Sequence, residues 1–379
     1  MFLTTIVVFL SVLIALLFWK YPLVSNFQNT QILYSSERFV INKTVYYVVP
    51  ILLLSLLYGL RYDVGVDYLA YKKIYETYFW GSLWESLSKS DIEYIYATIA
   101  HICYNIGMPY YIFFLVMAIV PLTFFYKSVK NYSYIFPYSF FCLFSLGIIF
   151  WYFNIQRQAI AFFILLYSVK FIKEKKLGRF LFWNLVATGF HISSLYFIPC
   201  YILFYLPPKK LLPAPILLTT YFTTWIFSSQ LQQLLFNIIS PFLSGRYADY
   251  IAVMETWEMG GGTGIGILLL HFIDIILITY SHLLSKKFIN ERFDIYFRIF
   301  FIGTFIANIA GTNMLLSRLP FCFTSMKIIV AGYFLYYVIN NWKSLNICIK
   351  SSFSIFIIIN ILLLMANIRN TPYQFIPSL

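Results

Sequence analysis

Long apolar stretches divide the chain, joined by short polar links. They fall at 1–19, 44–60, 110–126, 134–152, 158–172, 180–206, 214–229, 264–285, 295–312, 319–340 and 352–366. A helix needs ~20 apolar residues to cross a bilayer core. The pattern therefore predicts an all-α, polytopic helical membrane protein with roughly 11–13 membrane segments. Two stretches fit poorly as simple spans. Residues 92–108 are only moderately apolar and hold Glu93, His101, Asn105 and Gly107. Residues 180–206 are too long for one average span and are interrupted by Gly189-Phe190-His191.

Cationic loops sort these segments, because short cytoplasmic loops collect Lys and Arg. Such loops occur at 20–43, 127–133, 173–179, 207–213, 286–294 and 341–351. All six can share one side only if 92–108 is re-entrant or interfacial and 180–206 is a helical hairpin broken near His191. Irregular backbone at membrane depth is tolerated where protein encloses it. In this topology both termini lie outside. So do 61–91 and 230–262, the largest non-helical pieces, which contribute to an outward-facing active site. Residues 1–379 form a single integral membrane domain. The first basic residue is Lys20, so 1–19 reads as a retained first helix, not a cleaved signal.

Composition agrees with this class. Apolar residues make up 61% and charged ones 11%, against about 25% charged in soluble domains. That excludes a soluble globule and a disordered chain. The five cysteines are scattered without metal spacing and read as packing residues. Net charge is +13. The cytoplasmic loops hold 16 of the 27 Lys and Arg, so the charge is a topology signal, not a nucleic-acid surface. The outer segments are nearly neutral, but five of their eight cations are Arg: Arg61, Arg157, Arg246, Arg318 and Arg369. Arg is favoured where a planar fork must grip phosphate or carboxylate.

Candidate chemistry lies mostly in these outer segments. Arg157 follows Asn154-Ile155-Gln156 at a helix start, where free N–H groups and the dipole also favour an anion. Residues Gly59 to Tyr71 bring together Arg61, Asp63, Gly65, Asp67, Tyr68 and Tyr71. That set suits an anionic, hydroxyl-rich ligand: Arg on phosphate, Asp on sugar hydroxyls, Tyr against a sugar face. His191 sits at the hairpin break, followed by Ser193 and Ser194, where a neutral imidazole can serve as a general base. His271 and Asp274 share a helix face, and Lys327 lies inside another helix. Asp274 and Lys327 read as a structural pair. The chain has no HExxH, no DxD and no His/Cys cluster, so no metal and no cofactor are expected. The Gly260–Gly264 run lacks a following Lys-Ser/Thr, so it is not a nucleotide loop.

These residues form an ordered set. Arg61, Gly65, Asp67 and Tyr71 follow an early span, and Glu93 opens the next segment. Arg157-Gln158 stands at a helix start, and Phe190-His191-Ile192-Ser193 lies mid-chain. Arg246-Tyr247, Ser317-Arg318-Leu319 and Pro372-Tyr373 complete the order. From about residue 45 to the end, this set resembles the EpsG family of bacterial exopolysaccharide proteins, which is grouped with Wzy-type polymerases of O antigens and capsules. The resemblance implies a metal-independent glycosyltransferase with a fold like the GT-C enzymes, in the bacterial cytoplasmic membrane and acting on its outer face. A glycan on undecaprenyl diphosphate is moved to the terminal sugar of another lipid-linked repeat unit. Membrane lipids, a flippase and a chain-length regulator are its expected partners, and no nucleic acid.

Such a reaction needs fixed cations for the departing diphosphate. Arg157, Arg318 and Arg61 are the candidates, with Arg246 fourth. His191 is the candidate base and Asp67 the alternative. Tyr68, Tyr71, Glu93, Gln158 and Tyr247 are candidate substrate contacts. Two rival functions use similar residues: a flippase for the same lipid-linked unit, and a membrane acyltransferase that decorates the glycan. No internal repeat favours the flippase.

Overall fold

The apolar run at 158–172 becomes a helix over Gln156–Lys173, and it forms the axis of the fold. From Gln158 to Leu166 every side chain is buried. A helix that is apolar on all sides must be enclosed by others. The structure, a computed structural model, describes residues 43–90, 92–208, 210–239, 264–311, 318–371 and 373–374. Among the described residues the regular elements are helices, with no strand.

The helices in chain order begin with α1 (Lys43–Gly59), α2 (Tyr68–Tyr78), α3 (Leu83–Ser90), α4 (Tyr94–Asn105), α5 (Tyr110–Val129) and α6 (Phe136–Ser145). The axial helix is α7 and is followed by α8 (Leu177–Thr188). After a 3-10 stretch at Ile192–Tyr205 come α9 (Ala214–Ile226), α10 (Ser228–Ile239), α11 (Ile265–Thr279), α12 (Ser281–Lys287) and α13 (Phe293–Ala310). The chain closes with α14 (Lys327–Asn341) and α15 (Ile347–Asn370). Around α7 pack α5, α8 and the 3-10 stretch, and α1 lies against α5. α6 bridges to a second group, where α14 and α15 meet it and α9, α11 and α13 pack together.

Among the described residues, four helical stretches are long and apolar enough to cross a membrane: Tyr110–Val129, Phe293–Ala310, Phe321–Ser344 and Ile347–Asn370. The pair α11 and α12, bent by 49°, makes a fifth if taken as one span. This is a multi-pass membrane protein, and among the described residues fewer helices qualify than the 11–13 segments expected of the whole chain. The reason is visible in the backbone. The run 134–152 is cut at Gly147, which holds φ +78 and ends α6 two residues earlier. The run 92–108 yields a 12-residue helix, α4, about 18 Å long and too short to span. The run 180–206 breaks after α8, as its interruption at His191 predicts, and continues as a 3-10 stretch. Residues 1–42 and 240–263 lie outside the described residues.

The loop 61–91, expected to be irregular, contains α2 and α3 among its described residues. Tyr68, Tyr71 and Tyr75 are buried along one face of α2. Their i, i+3, i+7 spacing is the signature of an amphipathic helix. α15, by contrast, leaves Ile355, Ile358, Ile361, Leu362 and Met365 exposed, as expected of a helix that faces lipid.

Both ends of α7 carry polar, basic residues. Its start holds Gln156, Arg157 and Gln158. At its far end Lys173 donates to the Tyr132 hydroxyl at 2.8 Å and to the Glu291 carbonyl at 3.3 Å. At 1.5 Å per residue these ends are about 27 Å apart, close to the thickness of a bilayer core. Asp274 of α11 and Lys327 of α14 form the expected pair, 2.6 Å apart.

Candidate functional site

The two segments that the topology set apart meet each other. The N-terminus of α4 docks on the break after α8: the Ile95 and Tyr96 N–H groups both donate to the Gly189 carbonyl, at 2.9 and 3.1 Å. That satisfies two of the N–H groups a helix start leaves open. Glu93, just before α4, ties the junction together. One carboxylate oxygen pairs with Arg157. The other accepts the Ile192 N–H at 3.1 Å. With both oxygens engaged, Glu93, expected as a substrate contact, holds Arg157 and the His191 turn in register.

Arg157 is the second residue of α7, and its guanidinium also faces the Tyr71 hydroxyl. Its Nε is buried with no hydrogen-bond partner. The next residue, Gln158, donates from Nε2 to the Arg318 carbonyl at 2.6 Å and to Ser193 Oγ at 3.4 Å. The Gln158 Oε1 is buried and unpartnered. The structure thus gathers Glu93, Arg157, Gln158, His191 and Arg318 from four separate parts of the chain.

His191 lies in the turn between α8 and the 3-10 stretch, level with the start of α7. The Ser193 N–H donates to its Nδ1 at 3.3 Å, and the Ser193 hydroxyl lies 2.7 Å from the same nitrogen. A backbone N–H can only donate, so Nδ1 accepts and the neutral ring carries its proton on Nε2. Burial pulls the imidazole pKa down; Glu93 opposes this, while Arg157 and Arg318 add to it. The ring is therefore a neutral donor through Nε2–H, and its basic nitrogen is already occupied.

The 61–67 turn is docked beside the start of α7. Gly65 holds φ +99 and lies against the Phe153 carbonyl and Asn154, where a Cβ has no room. The Val66 N–H donates to Asn154 Oδ1 at 2.8 Å. This anchors Asp67 as the residue preceding α2, with its carboxylate not used as a cap. Tyr71 lies one turn further on, so Asp67 and Tyr71 share a face that leads to Arg157.

Arg61 and Tyr68 are placed differently from the expectation. Arg61 is fully enclosed, and none of its three guanidinium nitrogens has a hydrogen-bond partner. Four rings surround it: Phe153 at 5.0 Å, Phe114 at 5.5 Å, Tyr68 at 5.6 Å and Tyr152 at 5.9 Å. Cation–π attraction offsets part of the cost of burying the charge. Tyr68 is spent on that cage and presents no face for a sugar. Both support the wall behind the site without lining it. Arg246 and Tyr247 lie outside the described residues.

Other residues of the site were not singled out from sequence. Tyr96 donates to Gln156 Oε1 at 3.2 Å, and Gln156 Nε2 donates to Tyr152 at 2.9 Å. Gln156 flanks Arg157-Gln158, so a polar triplet opening a buried helix was its signal. The C-terminal tail also returns here: the Tyr62 N–H donates to the Gln374 carbonyl at 2.8 Å, and the Tyr373 hydroxyl to the Leu57 carbonyl at 2.7 Å. Among the described residues no three of His, Cys, Asp and Glu cluster as a metal site.

Arg157, Arg318 and the His191 Nε2–H supply donors and positive charge for an anion, and Asp67 stands one helical turn before Tyr71, whose hydroxyl meets Arg157. No curated protein and no solved structure matches the chain. The EpsG family model matches residues 44–375, nearly the whole length and all of the site. The chain thus belongs to the EpsG family, a family of Wzy-like polymerases, and its function is polysaccharide-polymerase-like.

Proposed function

We propose that the protein polymerises lipid-linked oligosaccharide repeat units on the outer face of the bacterial cytoplasmic membrane. It moves a glycan from undecaprenyl diphosphate to the terminal sugar of a second lipid-linked unit. One observation carries this reading: Arg157, Arg318 and His191 converge where α4 meets the broken hairpin.

In the reaction, a hydroxyl oxygen of the acceptor sugar attacks the anomeric carbon of the donor. The bond from that carbon to the diphosphate oxygen breaks. Negative charge grows on the departing oxygen, and Arg157, Arg318 and the His191 Nε2–H stabilise it. Removing one such donor typically costs about 10²–10³ in rate. The acceptor proton needs a base with a free lone pair. Ser193 occupies His191 Nδ1, so Asp67 takes the proton and His191 serves as donor. Tyr71, one turn after Asp67, meets Arg157 through its hydroxyl and ties the start of α2 to the start of α7. Glu93 and Gln158 hold the two arginines in place.

Purified protein with one defined lipid-linked repeat unit provides the test. A ladder of longer products, formed with neither nucleotide nor added metal and in the presence of a chelator, is expected. A protein that only moves the lipid across the membrane yields no ladder. One that decorates the glycan consumes an acyl donor and leaves chain length unchanged. Either result overturns the proposal.

A further inference from the structure

We infer a second binding site, for an anionic phospholipid, at the end of the molecule opposite the candidate active site. It is a cavity of about 630 Å³ whose lining includes Pro208, Leu211, His282, Leu283, Lys286 and Ile289. The 3-10 stretch separates it from His191 by 14 residues, or about 28 Å at ~2 Å per residue. The two sites therefore lie about one bilayer core apart.

The walls are held in place. Residues 206–208 and 210–212 are strapped to α12 and the start of α13 by side-chain bonds to their carbonyls. His282 Nε2 donates to Leu212 at 2.6 Å, and Ser285 Oγ to Pro208 at 3.2 Å. Arg298 donates to Pro207 at 3.1 Å and to Lys210 at 3.0 Å, and Arg292 to Leu206 at 3.3 Å. Lys286, in α12 beyond its 49° bend from α11, lines the cavity.

Charge selects the ligand. Among the described residues, the acids at this end are already engaged. Glu174 pairs with Lys176, Glu291 accepts from Tyr134, and Asp294 is shared by Arg292 and Arg298. Among the described residues, Lys210, Lys286 and Lys287 have no ion-pair partner. A cavity with a basic mouth and apolar walls of Leu211, Leu283 and Ile289 complements a phosphate head on acyl chains. Ile202, Tyr205 and Leu212 are exposed beside it and give the chains an apolar path. Basic pockets between membrane helices recognise anionic headgroups in this way.

Native mass spectrometry of the full-length protein in detergent tests the inference, with dioleoyl phosphatidylglycerol or dioleoyl phosphatidylcholine as the probe. Phosphatidylglycerol should be retained about tenfold better. Lys286→Glu, which reverses the charge, or Leu283→Trp, which fills the cavity, should lower that retention about fivefold. Lys343→Glu, at a lysine outside the cavity lining, should not. A loss in either cavity variant alone supports the site. Thermal unfolding of each variant checks that it is folded, and if Lys286→Glu is not, Leu283→Trp still decides. Equal retention of the two lipids, undiminished retention in both cavity variants, or equal loss with Lys343→Glu overturns the inference. So does complete displacement by inorganic phosphate, which marks a site for the anion alone.

Discussion

Two ion pairs join distant helices, and they do different work. Arg157–Glu93 sits beside a backbone break, with the arginine side chain one-quarter exposed. Its neighbours keep unused capacity: Arg157 Nε and Gln158 Oε1 are unpartnered, and His191 presents a free Nε2–H. Lys327–Asp274 lies between long helices, with each side chain about 10% exposed. Around it the neighbouring side chains bond mainly to one another, and Asp274 Oδ1 meets only the Lys327 ammonium. The Tyr221 hydroxyl reaches Asp274 at 3.4 Å and also meets His271, which stacks on Trp225 at 3.9 Å. Asn308 donates to the Tyr221 carbonyl and to Thr224, at 3.1 and 3.0 Å. The first pair is a site because its surroundings leave bonds to be made. The second is a clamp on α9, α11, α13 and α14 because its neighbours bond mainly to one another and its one oxygen without a hydrogen bond, Asp274 Oδ1, faces the paired lysine.

The sharpest way to break this contrast is to remove one partner of each pair. Arg157→Ala should cut polymerisation about 10²–10³-fold at equal protein level, read as product chain length, and Arg318→Ala should fall in the same range. Long chains from both variants would remove them from the chemistry. Asp274→Ala should instead lower stability by about 3–5 kcal/mol, because it strands a buried lysine. Replacing both members, as Asp274→Leu with Lys327→Met, should recover most of that loss. A double variant as unstable as the single one would show that the pair is more than a clamp.

Smaller effects test the details of the site. Gly65→Ala should cost about 1–3 kcal/mol, since φ +99 is unfavourable for any residue with a Cβ. Reduced activity in molecules that remain folded would tie that turn to the placement of Asp67. His191 is held neutral by burial and by the two arginines, so its ring should not protonate on passing from pH 8 to pH 6. The rate should then show no limb at the ordinary imidazole value of about 6.5. A limb there that vanishes in His191→Gln would show the ring titrating as a free base.

Much of the site was legible as separate pieces. Charge alternation marked 92–108 and 180–206 as abnormal, and these two segments dock on each other. Arg157-Gln158, His191 and Arg318 each stood out as polar groups in apolar surroundings, where burial is costly unless the group is used or satisfied. The fate of Arg61 was not legible. An arginine near a helix end looks the same whether it faces a ligand or is closed within a cage of four rings. Tyr68 and Tyr71 are neighbours in sequence, yet one seals that cage and the other faces Arg157.

The class of this protein followed from sequence alone. With 61% apolar residues and 11% charged, a chain can satisfy its backbone in lipid through helices without help from distant partners. Pairing is another matter. Glu93 and Arg157 are 64 residues apart, Glu93 and Ile192 are 99, and Gln158 and Arg318 are 160. Hydrogen bonds over such separations depend on how helices pack, and packing selects the face each helix buries. Only the tertiary structure could decide that Glu93 is a brace, that Arg61 is sealed away, and that the basic nitrogen of His191 is already taken.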